Sequence, residues 1–220
     1  MSADTQYAYA VSRIRAIEKK MLDKSGMERM IDAKSSEDAL KVAIEAGYGS
    51  HGGEIPGVYE YESLLKDEEK NTYRLLKEVA PEPRLFDIFL LRNDYHNLKV
   101  LLKAEFSGQT GEDILVDTGT IPVNKLAVML KERNLSEASP VMRKAVDECI
   151  DTFNRTGDPQ LIDLILDKAC FEQMKSAAGG SDSKFLRELV SVLTDLANIK
   201  MFLRVKNLKK SKDFLQKHLL

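Results

Sequence analysis

One eleven-residue pattern occurs twice in the chain, 101 positions apart. Residues 93–103 read NDYHNLKVLLK, and residues 194–204 read TDLANIKMFLR. Four polar positions keep their residue character, namely Asp94 and Asp195, Asn97 and Asn198, Lys99 and Lys200, and Lys103 and Arg204. Self-similarity at a fixed offset indicates a repeat architecture, in which each unit buries part of its surface against its neighbours.

An apolar stripe accompanies the polar positions in both copies. Its residues fall at steps of four, three and four, which is the spacing of one helix face: Leu91, Tyr95, Leu98 and Leu102, matched by Val192, Leu196, Ile199 and Leu203. Asp94 and Asn97 lie three apart and share a face, and such groups are buried only when hydrogen-bonded. We therefore interpret Asp–x–x–Asn–x–Lys as a structural signature, with Asp and Asn bonding a neighbouring helix end and Lys99 extending outward.

Candidate chemical sites are weak. His96, which is suited to acid–base work, is replaced by Ala197 in the second copy. His51, His96 and His218 are scattered, so we predict no catalytic site, metal or cofactor. Residues 47–52, GYGSHG, match G-x-G-x-x-G, but they follow a helix pattern and precede Ile-Pro-Gly instead of a helix start. A glycine loop with positive φ and an exposed His51 is the favoured interpretation.

Helical periodicity dominates, and no alternating strand pattern is found, so the predicted fold class is all-α. Predicted helices begin at Ser35 with a stop at Gly47, and at Asp158 with Pro159 in the first turn. Others span about 60–79, 84–106, 123–134 and 140–155, and a final helix runs from 184 past 204 to the C-terminus. The cluster from Gly108 to Gly119 predicts a boundary, dividing the chain into helical repeats 1–110 and 111–220.

Composition indicates a charge-rich helical protein of 220 residues, with 31% charged residues and a net charge of −2. Cys149 and Cys170 lie on predicted helices without metal or redox spacing, which favours core thiols in a reduced compartment. The N-terminus, MSADTQYAYAV, has no signal-peptide pattern, and no apolar run is long enough to span a membrane. A cytoplasmic location is expected.

The C-terminal segment 197–220 is basic, with seven Lys or Arg residues against Asp213 alone. Lys209, Lys210 and Lys212 are candidate contacts for an acidic partner. The alternatives are a solvated helix face, whose C-terminal cations complement the helix dipole, and an anionic lipid surface. Nucleic acid is less favoured, because no aromatic residues are interleaved for base stacking.

Three segments carry a resemblance to a known family. They are YAYAVSRIRAIEKKML at 7–22, FLLRNDYHNLKVLLKAEF at 89–106 and DLANIKMFLRVKNL at 195–208. In order and spacing, over essentially the whole chain, they resemble the C subunits of the bacterial and archaeal V/A-type rotary ATPases. The counterpart of these proteins in eukaryotic vacuolar ATPases is the d subunit.

The resemblance implies a non-catalytic adaptor built from three similar helical units arranged as a funnel. Such an adaptor sits on the cytoplasmic end of the membrane rotor ring, receives the central stalk, and transmits torque for ATP-coupled proton or sodium transport. This sequence contains two such units, so a truncated chain is expected. We expect an apolar face without its cover near Phe214, Leu215, Leu219 and Leu220.

Two other functions fit the residues alone. A general helical-repeat scaffold for another protein is supported by the same periodicity. A membrane-surface protein predicts salt-sensitive binding of segment 197–220 to anionic vesicles. Only the resemblance separates these alternatives from the rotary-ATPase adaptor.

Overall fold

The structure, a computed structural model, describes residues 3–49, 57, 59 and 61–220. Within that part of the chain it contains helices and turns and no strand, which confirms the all-α prediction. The helices are α1 Ala3–Gln6, α2 Ala8–Glu18, α3 Lys24–Ile31, α4 Ser36–Glu45, α5 Tyr61–Val79, α6 Asp87–Ser107, α7 Val123–Lys131, α8 Pro140–Thr156, α9 Pro159–Gly179, α10 Lys184–Asn207 and α11 Lys212–His218. Short 3₁₀ turns cover Pro83–Phe86 and Glu112–Ile114.

Short polar side chains begin most of these helices. Each accepts a hydrogen bond from a backbone N–H in the first turn, which an isolated helix end would leave without a partner. The caps are Asp23, Ser35, Ser139, Asp158, Ser183 and Ser211. The predicted starts at Ser35 and at Asp158–Pro159 are confirmed. Loss of one such cap typically costs about 1 kcal/mol.

Three helices end in the same left-handed motif. After α4, α7 and α10, the residue following the cap has positive φ. The N–H of that residue and the N–H of the residue after it both donate to carbonyl oxygens of the last helical turn. Glycine occupies this position after α4, at Gly47 (φ +96°), as predicted, whereas Arg133 (φ +55°) and Lys209 (φ +52°) occupy it after α7 and α10.

The predicted continuous C-terminal helix is wrong. α10 ends at Asn207, and a separate helix, α11, starts after the cap Ser211, whose hydroxyl accepts from the N–H of Phe214. Lysine rarely ends a helix, so the left-handed conformation of Lys209 could not be predicted from its residue type. Ser211, which begins α11, lies among lysines and was not recognised as a helix cap.

Residues 1–86 form one compact unit. In it, α3 packs on α4 and α2 packs on α5. Among the residues of this unit that the structure describes, the buried apolar side chains are Ala10, Val42, Ala43, Leu64 and Val79. Several large apolar side chains of α2 and α3, including Val11 and Ile31, remain exposed.

Residues 87–220 form the other compact unit. Here α9 lies along α6, α8 and α10 pack on α9, and α7 packs on α6. The core includes Leu98, Leu102, Leu126, Val146 and Leu166, none of which is measurably exposed. Burying each such side chain stabilises the fold by roughly 1.5–3 kcal/mol relative to leaving it in water.

The two compact units and the two predicted repeats divide the chain differently. The boundary between the compact units lies between residues 86 and 87, whereas the predicted repeats are 1–110 and 111–220. A sequence repeat need not coincide with a compact unit, because each unit of a repeat protein packs on its neighbour. The repeat limits therefore stay a prediction.

Replacing Lys209 by glycine should stabilise the protein by roughly 0.5–1 kcal/mol. Glycine adopts positive φ without the steric cost that a Cβ imposes. Urea unfolding followed by circular dichroism measures the effect. Lys206→Gly, inside α10, is the control and should destabilise by about 1 kcal/mol. Equal destabilisation by both substitutions would contradict the assignment of a left-handed cap at 209.

Candidate functional site

The repeated polar pattern of the first copy lies on α6 and faces the segment 108–122, which connects α6 to α7. Asp94 is fully buried there. One of its carboxyl oxygens accepts from the hydroxyl of Thr120 at 2.5 Å, and the other accepts from the N–H of Ile121 at 3.0 Å. The carboxyl therefore holds the chain at the entry to α7.

Asn97, also fully buried, makes two bonds to one residue of the same segment. Its amide nitrogen donates to the carbonyl oxygen of Val116 at 2.8 Å, and its amide oxygen accepts from the N–H of Val116 at 2.9 Å. The side chain thereby satisfies both backbone groups of a residue outside any helix. Asn93 adds a further bond, from its amide nitrogen to the hydroxyl of Thr118 at 2.8 Å.

A glycine makes this arrangement sterically possible. A Cβ at Gly119 would lie 2.2 Å from a carboxyl oxygen of Asp94, closer than any real contact. The backbone can pass over the carboxyl only because position 119 has no side chain. The glycines predicted to mark a flexible boundary therefore include one needed for a tight fit.

His96 belongs to the same network. Its Nε2 lies 2.8 Å from the carbonyl oxygen of Ile114, which can only accept, so Nε2 carries the proton. The ring is exposed and contacts the connecting segment. This geometry gives His96 a bonding role toward the backbone of the segment.

The cations of the pattern contact α9. Lys99 Nζ lies 2.5 Å from Asp167, and Lys103 Nζ lies 2.6 Å from both carboxyl oxygens of Asp163. The expectation that Lys99 extends outward is wrong, because this carboxylate draws the side chain across to α9. Partly exposed pairs of this kind contribute about 0.2–1 kcal/mol each.

Tyr95 connects α6 to α9 and to the start of α8. Its hydroxyl donates to the side-chain oxygen of Gln173 at 2.8 Å, and that oxygen also accepts from the hydroxyl of Ser139 at 2.6 Å. Burial raises the pKa of the Tyr95 phenol, which keeps it neutral and able to donate.

The second copy of the pattern, on α10, has different surroundings. Asn198 repeats the paired bonding of Asn97, to the N–H (2.8 Å) and the carbonyl oxygen (3.2 Å) of Leu220. Asp195 and Lys200 are exposed. The structure therefore brings Asp94, Asn97 and Lys99 together with partners, and of their counterparts only Asn198 has an equivalent partner among the described residues.

The apolar stripe shows the same difference. In the first copy its four residues are 0–6% exposed, and in the second copy they are 49–55% exposed. The uncovered apolar face was expected near Phe214, Leu215, Leu219 and Leu220, but the first two are half-buried, and the larger exposed face lies on α10. α11 folds back on α10, where the N–H of Leu220 donates to Asn198, so of the four expected residues only Leu219 is exposed.

The three candidate partner contacts lie at the junction of α10 and α11. Lys209, Lys210 and Lys212 are exposed. Lys210 Nζ lies 6.0 Å from the ring centroid of Phe214, a weak cation–π contact. In the part of the chain that the structure describes, none of the three lysines lies within ion-pair distance of a carboxylate.

The remaining candidates carry little chemistry. Gly47 and Gly49 have positive φ, and the N–H of Gly49 donates to Glu68, whereas residues 50–52, with His51, lie outside the described residues.

Cys149 and Cys170 are buried in the core as predicted, and burial raises the pKa of each thiol to about 12. Among the described residues, no group of three His, Cys, Asp or Glu side chains is placed to hold a metal ion. In the same residues, no helix is long and apolar enough to cross a bilayer.

Sequence reasoning missed the residues that complete the network. Asp163 and Asp167 on α9 are spaced four apart, matching Lys103 and Lys99 on α6, and this matched spacing was the available signal. Thr120 and Gln173 gave none, because each bonds a single distant residue, 26 or 78 positions away, without a spacing that two helices share.

The repeated polar residues of the first copy bond the backbone and side chains of their own chain. Residues 10–220 match the family described as ATP synthase (C/AC39) subunit, and the chain belongs to that family.

Similar proteins carry consistent names. The C subunit of the A-type ATP synthase of Methanocaldococcus jannaschii is 25% identical over 216 residues, covering 91% of this chain and 54% of that protein. The C subunit of the V-type sodium ATPase of Enterococcus hirae is 28% identical over 193 residues, covering 84% and 56%. The C subunit of the V-type ATP synthase of Thermus thermophilus is 28% identical over 201 residues, covering 88% and 61%. The chain thus spans little more than half the length of these relatives.

Replacing Asn97 by alanine should destabilise the protein by about 1–3 kcal/mol, because both backbone groups of Val116 lose a partner that is itself fully buried. The matched substitution, Asn198→Ala, should cost less than about 1 kcal/mol, since Asn198 is only half-buried and water can replace its amide. Urea unfolding of both variants measures the difference. A cost at Asn198 equal to that at Asn97 would contradict the burial argument.

Asp94 should make stability depend on pH. Burial raises the pKa of its carboxyl above the ordinary 3.8, against the opposing effect of the bonds from Thr120 and Ile121. The native state then holds the proton more tightly than the unfolded state. The contribution of Asp94 is complete below about pH 3.8 and is lost as pH rises through the raised folded-state pKa.

Asp94→Asn removes this titration while keeping an oxygen that can accept from Ile121. The free energy of unfolding of the wild type, minus that of the variant, should therefore fall as pH rises from 4 to 7. Denaturant titrations at several pH values measure it. A difference that grows with pH would mean that the bonds to the carboxylate outweigh its desolvation.

Proposed function

We propose that this chain acts as a non-catalytic adaptor in the central rotor of a V/A-type rotary ATPase. In this role it links the central-stalk subunits to the membrane rotor ring of proteolipid subunits and transmits torque for ATP-coupled proton or sodium transport. The protein works at the cytoplasmic face of the membrane, as a peripheral part of the complex. It needs neither a cofactor nor a small-molecule substrate.

Family membership is the observation that carries the proposal, since residues 10–220 match the ATP synthase C/AC39 family. The names of the relatives, C subunits of A-type and V-type ATP synthases and of a sodium ATPase, agree with it. The contacts of the signature support a structural role. Asp94, Asn97 and His96 are used to hold segment 108–122 against α6.

Torque transmission requires a stiff body, and the network around α6 supplies stiffness. A connecting segment of about fifteen residues would ordinarily be mobile. Here it is bonded at residues 114, 116, 118, 120 and 121 to one helix face. The ion pairs from Lys99 and Lys103 then tie that helix to α9.

The basic junction supports a contact with an acidic partner. Lys209, Lys210 and Lys212 present three exposed cations within four residues. We assign this junction to the binding of the stalk or ring. A general helical-repeat scaffold for another protein is the second candidate, favoured by the exposed apolar face of α10.

Calorimetry with the central-stalk subunits of the matching rotary ATPase, and separately with its purified rotor ring, tests the proposal. Lys209→Glu, Lys210→Glu and Lys212→Glu together should weaken binding on the order of tenfold at low salt, because attraction to an acidic surface becomes repulsion. Lys19→Glu, Lys20→Glu and Lys34→Glu change the net charge equally elsewhere and should leave binding intact.

Two results would count against the proposal. Equal affinity of the wild type and the triple variant at low salt would remove the basic junction from the interface. If neither stalk nor ring binds the chain, or a version extended to the length of its relatives, the adaptor function fails and the scaffold becomes the better explanation.

A further inference from the structure

The connecting segment and α7 together leave α6 and return to it at almost the same place. Gly108 follows the last residue of α6 directly, and Arg133, just past α7, pairs with Glu105 of α6. Gly108 and Arg133 both have positive φ, +68° and +55°, so the chain turns sharply at each of them. Residues 108–133, the flap, therefore have both ends beside the C-terminal end of α6, and these two ends form a hinge.

The far end of the flap is held by side chains in the middle of α6. Asn97 bonds both backbone groups of Val116, and Asp94 accepts from the N–H of Ile121. Asp94 lies eleven residues before Glu105 on the same helix. At 1.5 Å per residue, the bonds at the far end are roughly 16 Å from the hinge. The two buried polar side chains of α6 thus hold the flap where a movement about its hinge would be largest.

The rest of this compact unit is held together without the flap. α9 lies along α6, and α8 and α10 pack on α9. Ser139, at the start of α8, donates to Gln173 of α9 at 2.6 Å, so the chain is fixed again just after the flap. α7 itself packs mainly on α6, where it buries Leu126, Met129 and Leu130. Moving the flap breaks contacts with α6 and leaves the packing of α8, α9 and α10 in place.

We propose that the flap opens from α6 as a unit about its hinge while α8, α9 and α10 stay packed, and that the carboxyl of Asp94 is the latch that sets the open population. The closed flap is the native state, and the open flap is a minor state reached by sub-global opening. The inference rests on contacts within residues 87–139 and does not depend on the adaptor function.

The proton of Asp94 controls the latch. Burial raises the pKa of this carboxyl while the flap is closed, and opening the flap solvates it. The closed flap therefore holds the proton more tightly than the open flap does. The contribution of Asp94 to closure is complete at low pH and is lost as pH rises through the raised pKa, so rising pH favours opening.

The surroundings of Asp94 leave this control to its own carboxyl. The ionisable groups whose charges act on Asp94 are Asp87 and Tyr95 on α6 and Cys170 on α9, and burial raises the pKa of the phenol and the thiol, which keeps both neutral below pH 7. His96 donates to the flap from Nε2 whether or not Nδ1 is protonated. The other charged side chains of the segment and of α7 are exposed: Glu112, Asp113, Asp117, Lys125 and Lys131.

Hydrogen exchange of the full 220-residue chain, followed for each amide by NMR and corrected for intrinsic exchange rates, measures the opening. The N–H groups of Val116 and Ile121, which donate to Asn97 and Asp94, report the flap, and the amides of α9 report the rest of the unit. In the wild type the two flap amides should share one opening constant. It should exceed that of the α9 amides by about tenfold or more.

Three substitutions separate the flap from the rest of the unit. Thr120→Val, at an exposed position, removes the hydroxyl that donates to Asp94 and should raise exchange at both Val116 and Ile121 roughly three- to tenfold. Asp113→Asn, at an exposed carboxylate of the flap, is the control and should change neither. Val190→Ala, at a buried position of α10, should raise exchange in α9 roughly tenfold and leave the flap amides unchanged.

A pH series tests the latch. In the wild type, the opening constant at Val116 should rise between about pH 4 and 7, because Asp94 loses its proton in the closed flap. Asp94→Asn should remove that rise. Val116 bonds Asn97 and makes no bond to Asp94, so a response at Val116 shows that the carboxyl controls the whole flap.

Three results would overturn the proposal. Equal opening constants for the flap and α9, or equal acceleration of both by Val190→Ala, would mean that the flap opens only in global unfolding. Different opening constants at Val116 and Ile121 would mean that the flap does not move as a unit. A pH-dependent rise at Val116 that persists in Asp94→Asn, or an effect of Thr120→Val at Ile121 alone, would show that Asp94 is not the latch.

Discussion

Two buried polar side chains of α6 determine the local structure on which the rest of residues 87–220 is built. Asp94 and Asn97 have no exposure to water, and each is stable there only because a connecting segment supplies its hydrogen-bond partners. The dependence is mutual, since the backbone of Val116 and Ile121 has these side chains as partners. Position and register of α7 follow from that bonding, because Ile121 lies two residues before the helix begins.

The internal repeat acts as a natural comparison between two environments. The same helix pattern is fully packed as α6 and half-uncovered as α10. Tyr95, which donates from α6 to Gln173 on α9, is replaced by Leu196 on α10, so the repeat keeps the apolar contact and omits the hydroxyl. Asn198 keeps its two bonds even without the surrounding cover, which indicates that a nearby backbone segment alone is enough to satisfy the amide.

Much of the fold could be predicted from local sequence. Helix periodicity, the serine and aspartate caps and the stop at Gly47 depend on residues within one or two turns, and each has a direct chemical cause. The stripe of the first copy was predicted as buried and is buried. Local rules failed where a residue adopts a conformation that its type does not favour, as Lys209 does at the end of α10.

The contacts between helices could not be predicted in the same way. The partner of Lys99 lies 68 positions away, and only the three-dimensional packing of α9 on α6 brings the two charges together. The cluster from Gly108 to Gly119 was interpreted as a boundary because glycines and polar residues are typical of flexible connections. The segment fits tightly because the backbone of Gly119 passes over Asp94. The sequence shows the glycine but not the carboxylate that it contacts. Which face of α10 stays uncovered depends likewise on where α11 lies.

The two thiols make it possible to measure the opening of one compact unit separately from the other. Both cysteines of the chain lie in the core of residues 87–220, and residues 1–86 contain none. Because the thiolate is the form that reacts with alkylating agents, burial and a pKa of about 12 protect both side chains while the core is closed. The rate of alkylation at neutral pH therefore reports the opening of residues 87–220. Unfolding confined to residues 1–86 leaves the alkylation rate unchanged.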